Sequence, residues 1–228
     1  MCAASQAVVG FSETNAINAA VRSLNLTVVG GISVAQSRAG GGAACGFALR
    51  AYTSLRASLT DVSAHASGNA QLKTLGVLAT AAVGAVLVTA EAEVVAAFTR
   101  TRWIADSVSI DAIAVVATSP ADHIAAVGMV VASSHGDAEL KVADVVMSIS
   151  RCPSVIVITT GVLVAVGGCV FTGGAARTTL DVRNATLGAT HTGLLFVNGL
   201  SAVGILSIVV VHEEGGLDNN PTVQIALT

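Results

Sequence analysis

Three long segments of this chain contain no Asp, Glu, Lys or Arg: Thr74–Ala90, Pro153–Ala176 and Ala185–Val211. A stretch of about 18 or more apolar residues without charge has the length of a transmembrane helix. These segments are rich in Val, Thr, Ala and Gly, and β-branched residues favour strands. The chain is therefore either a multi-span integral membrane protein or a protein whose strands are almost entirely buried.

Composition favours the buried strands. Hydrophobic residues make up 53% of the chain and charged residues only 11%, with a mean hydropathy of +0.77, whereas soluble domains average about a quarter charged residues. The single Trp103 and the single Tyr52 form no aromatic belt, and Lys and Arg do not concentrate in one set of loops. A net charge of −3 without a basic patch argues against a nucleic-acid partner.

The segment Ala138–Ile149 shows the clearest strand alternation. Its apolar residues are Leu140, Val142, Val145, Met147 and Ile149. The alternation breaks once, at Ala143-Asp144, and then resumes, which predicts two short strands joined by a tight polar corner. The residues facing the core should be the apolar set, with Glu139 and Lys141 outside.

The same pattern recurs elsewhere in the chain. Alternation in Leu24–Val34 is interrupted at Gly30-Gly31. Ile104-Ala-Asp-Ser-Val and Val142-Ala-Asp-Val-Val share the pattern β-branched residue, Ala, Asp, any residue, Val. Recurrence of a short strand unit indicates stacked repeats whose inward apolar residues share one core. The sequence predicts a single all-β, β-solenoid-like domain over residues 1–228, with a short N-terminal helix over Thr14–Leu24.

Several of these segments resemble the repeats of bacterial filamentous haemagglutinin-like adhesins: Leu24–Ala35, Ile104–Ala112, Ala138–Ile149 and the Ala/Gly-rich Leu163–Gly168. The resemblance implies a right-handed β-helix and export to the cell surface or the extracellular space. It also implies a structural or adhesive role without an active site.

A Gly-rich segment, Arg38–Gly46, supports a different hypothesis. It follows a strand-like run and is placed to open a helix at Phe47, where backbone N–H groups can hold a phosphate. The segment matches neither the dinucleotide fingerprint nor the Walker A pattern. The alternative function is therefore an α/β enzyme with a phosphate-bearing ligand at Gly40, Gly41, Gly42 and Gly46.

Other chemistry-bearing residues do not form a recognisable site. The segment Ser133–Asp137 contains a nucleophile type, a base type and a carboxylate, but adjacent positions indicate a polar turn rather than a triad. Asp122-His123 with His135 lacks metal-ligand spacing. We predict no catalytic residue, metal or cofactor.

The four cysteines are widely separated and are predicted to be mainly buried free thiols: Cys2, Cys45, Cys152 and Cys169. The sequence as a whole predicts a non-enzymatic structural or adhesive protein. Unpaired strand edges and scarce charge predict self-association, as a filament or through Val/Thr/Ala faces. A surface or host ligand is not identified by any motif, and contact with a membrane stays open.

Overall fold

The computed structural model describes residues 7–36, 41–76, 79–89, 93–114, 123–133, 136–159, 163–173, 177–190, 193–198, 203–212 and 222–227. Within these ranges the regular structure consists of strands. The strands are β1 (Ala7–Arg22), β2 (Asn25–Val29), β3 (Ile32–Gln36), β4 (Gly41–Thr60), β5 (Ser63–Ser67), β6 (Gln71–Gly76), β7 (Ala79–Thr89), β8 (Glu93–Thr99), β9 (Arg102–Asp106), β10 (Ser109–Ala114), β11 (His123–Ser133), β12 (Ala138–Ser150), β13 (Ser154–Thr159), β14 (Leu163–Gly173), β15 (Arg177–Thr190), β16 (Leu194–Asn198), β17 (Val203–His212) and β18 (Thr222–Leu227).

The strands form two sheets, and the pairs within each are parallel. Thirteen strands belong to the large sheet, in which β17, β14, β11, β7, β4, β8, β12, β9, β5 and β2 follow in order, β1 joins β4, and β15 with β18 joins β12. The small sheet has five strands in the order β16, β13, β10, β6, β3. Side-chain hydrogen bonds between neighbouring strands join residues 37 to 45 positions apart.

The predicted right-handed β-solenoid is wrong. The described strands form two all-parallel sheets of a parallel-sheet domain, with no solenoid and no closed sheet. The reason lies in the long strands. β12 pairs along its first half with β8 and along its second half with β9, and β4 pairs first with β7 and then with β8. Each long strand thus pairs with two different strands and joins them into one sheet, whereas the sequence pattern predicted separate short strands.

The predicted N-terminal helix is also wrong. Residues through Arg22 belong to β1, which pairs in parallel with β4 and places Ile17 beside Leu55. Ile17 is buried, and Ala19 and Val21 pack against the same core. These three residues have the two-residue period of a strand. A helix would instead place Ala20 on the same side as Ile17, but Ala20 is exposed.

Strand β12 confirms the predicted inward face, although as one strand rather than two. Its five apolar residues, Leu140, Val142, Val145, Met147 and Ile149, are at most 3% exposed. Asp144 has a φ of 55° and lies at the predicted corner. This left-handed residue lets Val142 and Val145 both face inward without ending the strand. Lys141 is exposed and pairs with Glu139 at 2.6 Å.

The main core contains four buried aromatic side chains, Phe47, Phe98, Trp103 and Phe171. Trp103 is fully buried and meets Phe47 and Phe98 edge to face, with ring centroids 6.5 and 6.3 Å apart. Such T-shaped contacts are a preferred geometry for aromatic rings. These four aromatic side chains therefore pack in the interior, whereas Tyr52 is exposed.

The uncharged sequence of β7 is explained by burial on two faces. In β7, residues Ala82, Val83, Ala85 and Leu87 belong to the main core, while Ala79, Ala81, Val86 and Val88 belong to a second cluster that includes Ala125 and Val130 of β11. Parallel strands covered on both faces have continuous apolar sequences rather than alternating ones. None of the described residues builds a helix with the length and apolarity to cross a membrane.

A column of glycines lies across β4, β7, β11 and β14. Gly46, Gly84, Gly128 and Gly168 are paired in register and have φ values of 145°, 154°, 141° and 148°. A Cβ added to Gly84 would lie 1.7 Å from the Gly128 carbonyl oxygen. Because that distance is far below van der Waals contact, this column requires glycine.

Candidate functional site

Five non-glycine residues with positive φ form a column along the large sheet, here called the corner column: Ser23, Asp61, Arg100, Asp144 and Asn184. Their φ values lie between 51° and 55°. Backbone hydrogen bonds connect successive positions of the column. The Asp61 N–H donates to the Thr99 carbonyl at 3.1 Å, and the Arg100 N–H donates to the Ala143 carbonyl at 2.9 Å. Asp and Asn are enriched in this left-handed conformation, which explains their use at the bend.

A groove of about 490 Å³ runs beside the corner column. The corner side chains form one wall, and the residues two positions further along each strand form the other. The lining residues are Asp61, Val62, Ser63, Arg100, Arg102, Asp144, Val146, Asn184 and Thr186. The groove therefore spans four neighbouring strands and combines charged, amide, hydroxyl and apolar groups.

Ion pairing and hydrogen bonding fix most polar groups of this corner groove. The Arg100 guanidinium donates to both Asp61 carboxylate oxygens, at 2.6 and 2.8 Å. This contact lowers the pKa of Asp61 and raises that of Arg100. Asn184 Nδ2 donates to Asp144 Oδ1 at 2.7 Å. In the part of the chain that is described, Arg102 forms no ion pair, so its exposed guanidinium is the groove's available cation.

A second charged corner surrounds Asp106, at the end of β9. Its carboxylate accepts hydrogen bonds from Ser150 Oγ at 2.8 Å and from the Arg151 guanidinium. The Arg151 contact, followed by that of Ser150, lowers the pKa of Asp106 to about 2. A carboxylate held this firmly in its ionised form is suited to fixing strand ends, and unsuited to exchanging protons near neutral pH.

A smaller pocket of about 100 Å³ lies among charged residues at the start of β8, β12 and β15. Its lining includes Glu93, Asp137, Glu139 and Arg177. Glu93 pairs with Arg56 at 2.9 Å. Among the described residues no group of three or more His, Cys, Asp or Glu is arranged to hold a metal ion.

The outward side of the five-stranded sheet is an exposed apolar surface, here called the outer face. Six large hydrophobic residues of the described chain are exposed, and four of them lie on this face: Ile32 at 49%, Val34 at 41%, Leu75 at 45% and Leu194 at 58%. The half-buried Ile113, Ile156 and Ile158 extend it. Exposed large apolar residues grouped on one face mark candidate interaction sites.

The Gly-rich segment does not have the predicted strand-to-helix geometry. Gly41 and Gly42 begin β4 and pair with Ala79 and Thr80 of β7, and Gly46 belongs to the glycine column. Phe47 continues the strand and is buried. Gly40 lies outside the described residues. Phosphate binding here remains a prediction, now without the helix N-terminus on which it depended.

The Ser-His-Asp hypothesis is only partly covered by the described residues. Gly136 N–H donates to Ser133 Oγ at 3.0 Å, as in a polar turn. Ser134, His135 and Asp122 lie outside the described residues, and so does the side chain of His123.

Three cysteines, Cys45, Cys152 and Cys169, are buried free thiols, as predicted, and Cys2 lies outside the description. Burial raises the pKa of Cys45 to about 11 and that of Cys169 to about 12, and it raises the pKa of Cys152 as well. Nucleophilic cysteines are thiolates in partly exposed, electropositive surroundings. These three therefore pack as small hydrophobic residues.

Comparison with protein-family models, with curated proteins and with solved structures finds no match to this chain. The assignment of function therefore depends on the surfaces themselves. Sequence reasoning missed both the corner groove and the outer face. The signal that could have found them is the spacing of Gly46, Gly84, Gly128 and Gly168. These glycines are paired in register, so their spacing shows which strands lie side by side.

Proposed function

We propose that this chain is a non-enzymatic structural or adhesive protein that associates end to end with copies of itself. The observation that carries the proposal is the position of the sheet edges. Among the described pairings, β1, β2 and β3 each have one partner strand, and β16, β17 and β18 have one each at the opposite side. Among the described strands, one open edge is therefore formed by β1, β2 and β3 and the other by β16, β17 and β18.

Open edges of this kind favour addition of another copy. An edge strand presents unpaired N–H and C=O groups, which can pair with another chain. Every described pair of strands is parallel. The edge strands β16, β17 and β18 of one copy therefore have the direction needed to pair with β1, β2 and β3 of the next copy. Such a contact joins two different surfaces and does not close, which produces a filament.

An adhesive role at the cell surface or outside the cell is supported by the resemblance of Leu24–Ala35 and Ala138–Ile149 to adhesin repeats. The corner groove provides an exposed polar surface that a filament would repeat along its length. The alternative, an enzyme with a phosphate-bearing ligand at the Gly-rich segment, lacks support from the strand geometry of Gly41 and Gly42.

Sedimentation velocity and negative-stain microscopy test the end-to-end association at micromolar concentrations. We expect the mean sedimentation coefficient to rise with concentration and filaments to be visible. A monodisperse monomer up to about 100 µM, well above the roughly micromolar affinity of many specific complexes, would overturn the proposal.

An edge variant sharpens this test. Gly30 N–H donates to the Ser67 carbonyl, at 3.1 Å, so strand alternation directs the N–H of Thr27 toward the open edge. Thr27→Pro removes that donor, and the loss of one hydrogen bond should raise the concentration needed for association by about tenfold. Thr27→Ser is the matched control and should associate like the parent protein.

A further inference from the structure

The outer face has a central pair of opposite charges surrounded by apolar residues. Parallel pairing aligns Val34 of β3, Lys73 of β6, Asp111 of β10 and Ile156 of β13 in one row. Lys73 is exposed and Asp111 is half-buried. No ion pair within 4.0 Å joins them in the described chain, so each charge is open to a partner.

This row is complementary to itself under a two-fold rotation. The axis runs parallel to the strands, in front of the face and midway between β6 and β10. Rotation about it exchanges the two sides of the row, and each residue keeps its position along the strand direction. Lys73 then faces Asp111 of the second copy, and Asp111 faces the second copy's Lys73. Val34 faces Ile156, and in the next row Leu75 faces Ile113.

We propose that a second copy of this chain packs face to face on the five-stranded sheet through this two-fold axis. The interface is isologous, because the same patch serves on both copies. In the Val34 and Leu75 rows apolar residues meet apolar residues, and the two ion pairs fix the lateral register. A copy displaced by one strand brings like charges together, which disfavours that arrangement.

The size of the face limits this contact. Under this axis four strands of each copy overlap, β3, β6, β10 and β13, and β16 lies beyond the overlap. Four strands about 4.8 Å apart and roughly 18 Å long give a projected area of about 350 Å² per copy. Two copies together bury roughly 700–900 Å², which is below the approximately 1,600 Å² of a standard stable interface, so we expect a weak and reversible dimer.

This lateral contact deepens the proposed self-association but uses a different surface from the sheet edges. It is therefore tested in the Thr27→Pro background, where end-to-end addition is weakened. In that background the lateral contact should still cause association that rises with concentration, and the Lys73 and Asp111 variants assign it to the outer face. A strict monomer up to about 1 mM would overturn the lateral contact, while the comparison of Thr27→Pro with Thr27→Ser decides the end-to-end contact separately.

Charge reversal identifies the interface. The Lys73→Asp variant carries two acidic groups in the row, and the Asp111→Lys variant carries two basic groups. Each variant alone should lose dimerisation by at least about tenfold, because like charges meet across the axis. Mixed in equal amounts, the two variants should form a heterodimer at least as readily as the parent protein dimerises.

The mixing experiment separates contacts between copies from effects within one chain. A destabilised sheet in a single variant would not be repaired by adding the other, and circular dichroism checks that each variant is folded. Lys141→Asp, which changes an exposed lysine on the large sheet, is the matched control and should dimerise normally. Single variants that dimerise like the parent, or a mixture that stays monomeric, would overturn the two-fold interface.

Discussion

Strands β7 and β12 belong to the same large sheet, with β4 and β8 between them, yet their charge patterns differ. Ala79 and residues 81–89 of β7 are buried, and the strand has no charged residue over its length. β12 has its apolar residues buried on one side, while Glu139, Lys141 and Asp144 lie on the other. The two strands have the same parallel pairing, so pairing does not cause the difference.

The difference shows what an uncharged segment means in this protein. β7 packs against the main core on one face and against a second cluster on the other, so a charged side chain has no exposed position along it. β12 has one exposed face, which accepts charge. In these two strands the presence of charge therefore follows the number of exposed faces, and this explains the uncharged sequence of β7 within Thr74–Ala90.

The largest expected effect is a charge placed on the second face of β11. Val130→Lys introduces an ammonium group at a fully buried position. Without a partner that charge is costly, so the variant should lose more than about 4 kcal/mol of unfolding free energy or fail to fold. Denaturant unfolding followed by circular dichroism measures the loss.

Val95→Lys in β8 is the matched control, because Val95 is half-buried on the outward side of a strand with one buried face. Its lysine can extend its charged end into water, so the loss should stay within about 1 kcal/mol. Similar large losses in both variants would remove the distinction between the two classes of strand.

The glycine column gives the next effect. In Gly84→Ala the new Cβ would lie 1.7 Å from the Gly128 carbonyl oxygen, at a φ of 154°. The backbone of two strands must move apart, which should cost about 3–5 kcal/mol. Gly188→Ala in β15 meets no atom within 4 Å and should change stability by less than about 0.5 kcal/mol. Equal losses would contradict the close approach of β7 and β11.

The sequence predicted which side chains of a strand face the core better than it predicted which strands pair. The inward set of β12, from Leu140 to Ile149, follows directly from alternation because a strand has a two-residue period. Alternation contains no information on which strands pair with each other. The solenoid inferred from recurring alternation was therefore not constrained by the sequence, and it was wrong. The Asp144 bend was predicted as a break between strands, whereas its left-handed backbone lets β12 continue.

The internal repeat was recognised in the wrong alignment. Ile104-Ala-Asp and Val142-Ala-Asp match in residue type, but Ile104 pairs with Ser148, and Val142 pairs with Phe98. The corner column is hidden for a similar reason. Asp61, Arg100 and Asp144 share a backbone conformation, but these three positions alternate between acidic and basic side chains, so no residue pattern connects them. Their grouping depends on pairing between distant segments.

A moderate effect tests the one-faced strand itself. Ile149→Ala removes a side chain that is 1% exposed and should cost roughly 2–5 kcal/mol. Lys141→Ala removes an exposed side chain and a surface ion pair, and should change stability by about 0.5 kcal/mol at most. Thermal or denaturant unfolding measures both. Equal, small losses would be inconsistent with the assignment of Ile149 to the core face.

The smallest effect concerns acid. The pKa of Asp106 is about 2 in the folded protein, because Arg151 and Ser150 hold its carboxylate ionised, and about 4 in an unfolded chain. The folded state therefore binds the proton less tightly than the unfolded state. The stabilisation is fully present above pH 4 and is lost as the pH falls through 2. Since Arg151 is largely exposed, solvent screening limits this contribution to about 1 kcal/mol.

Asp106→Asn should therefore be less stable than the parent protein at pH 6, and the difference should shrink as the pH falls from 4 toward 2. Arg151→Gln should show the same pH dependence, because it removes the group that is the main cause of the lowered pKa. Urea unfolding at a series of pH values measures the difference. A constant difference across this range would mean that Asp106 stabilises the corner through packing and not through its ionised carboxylate.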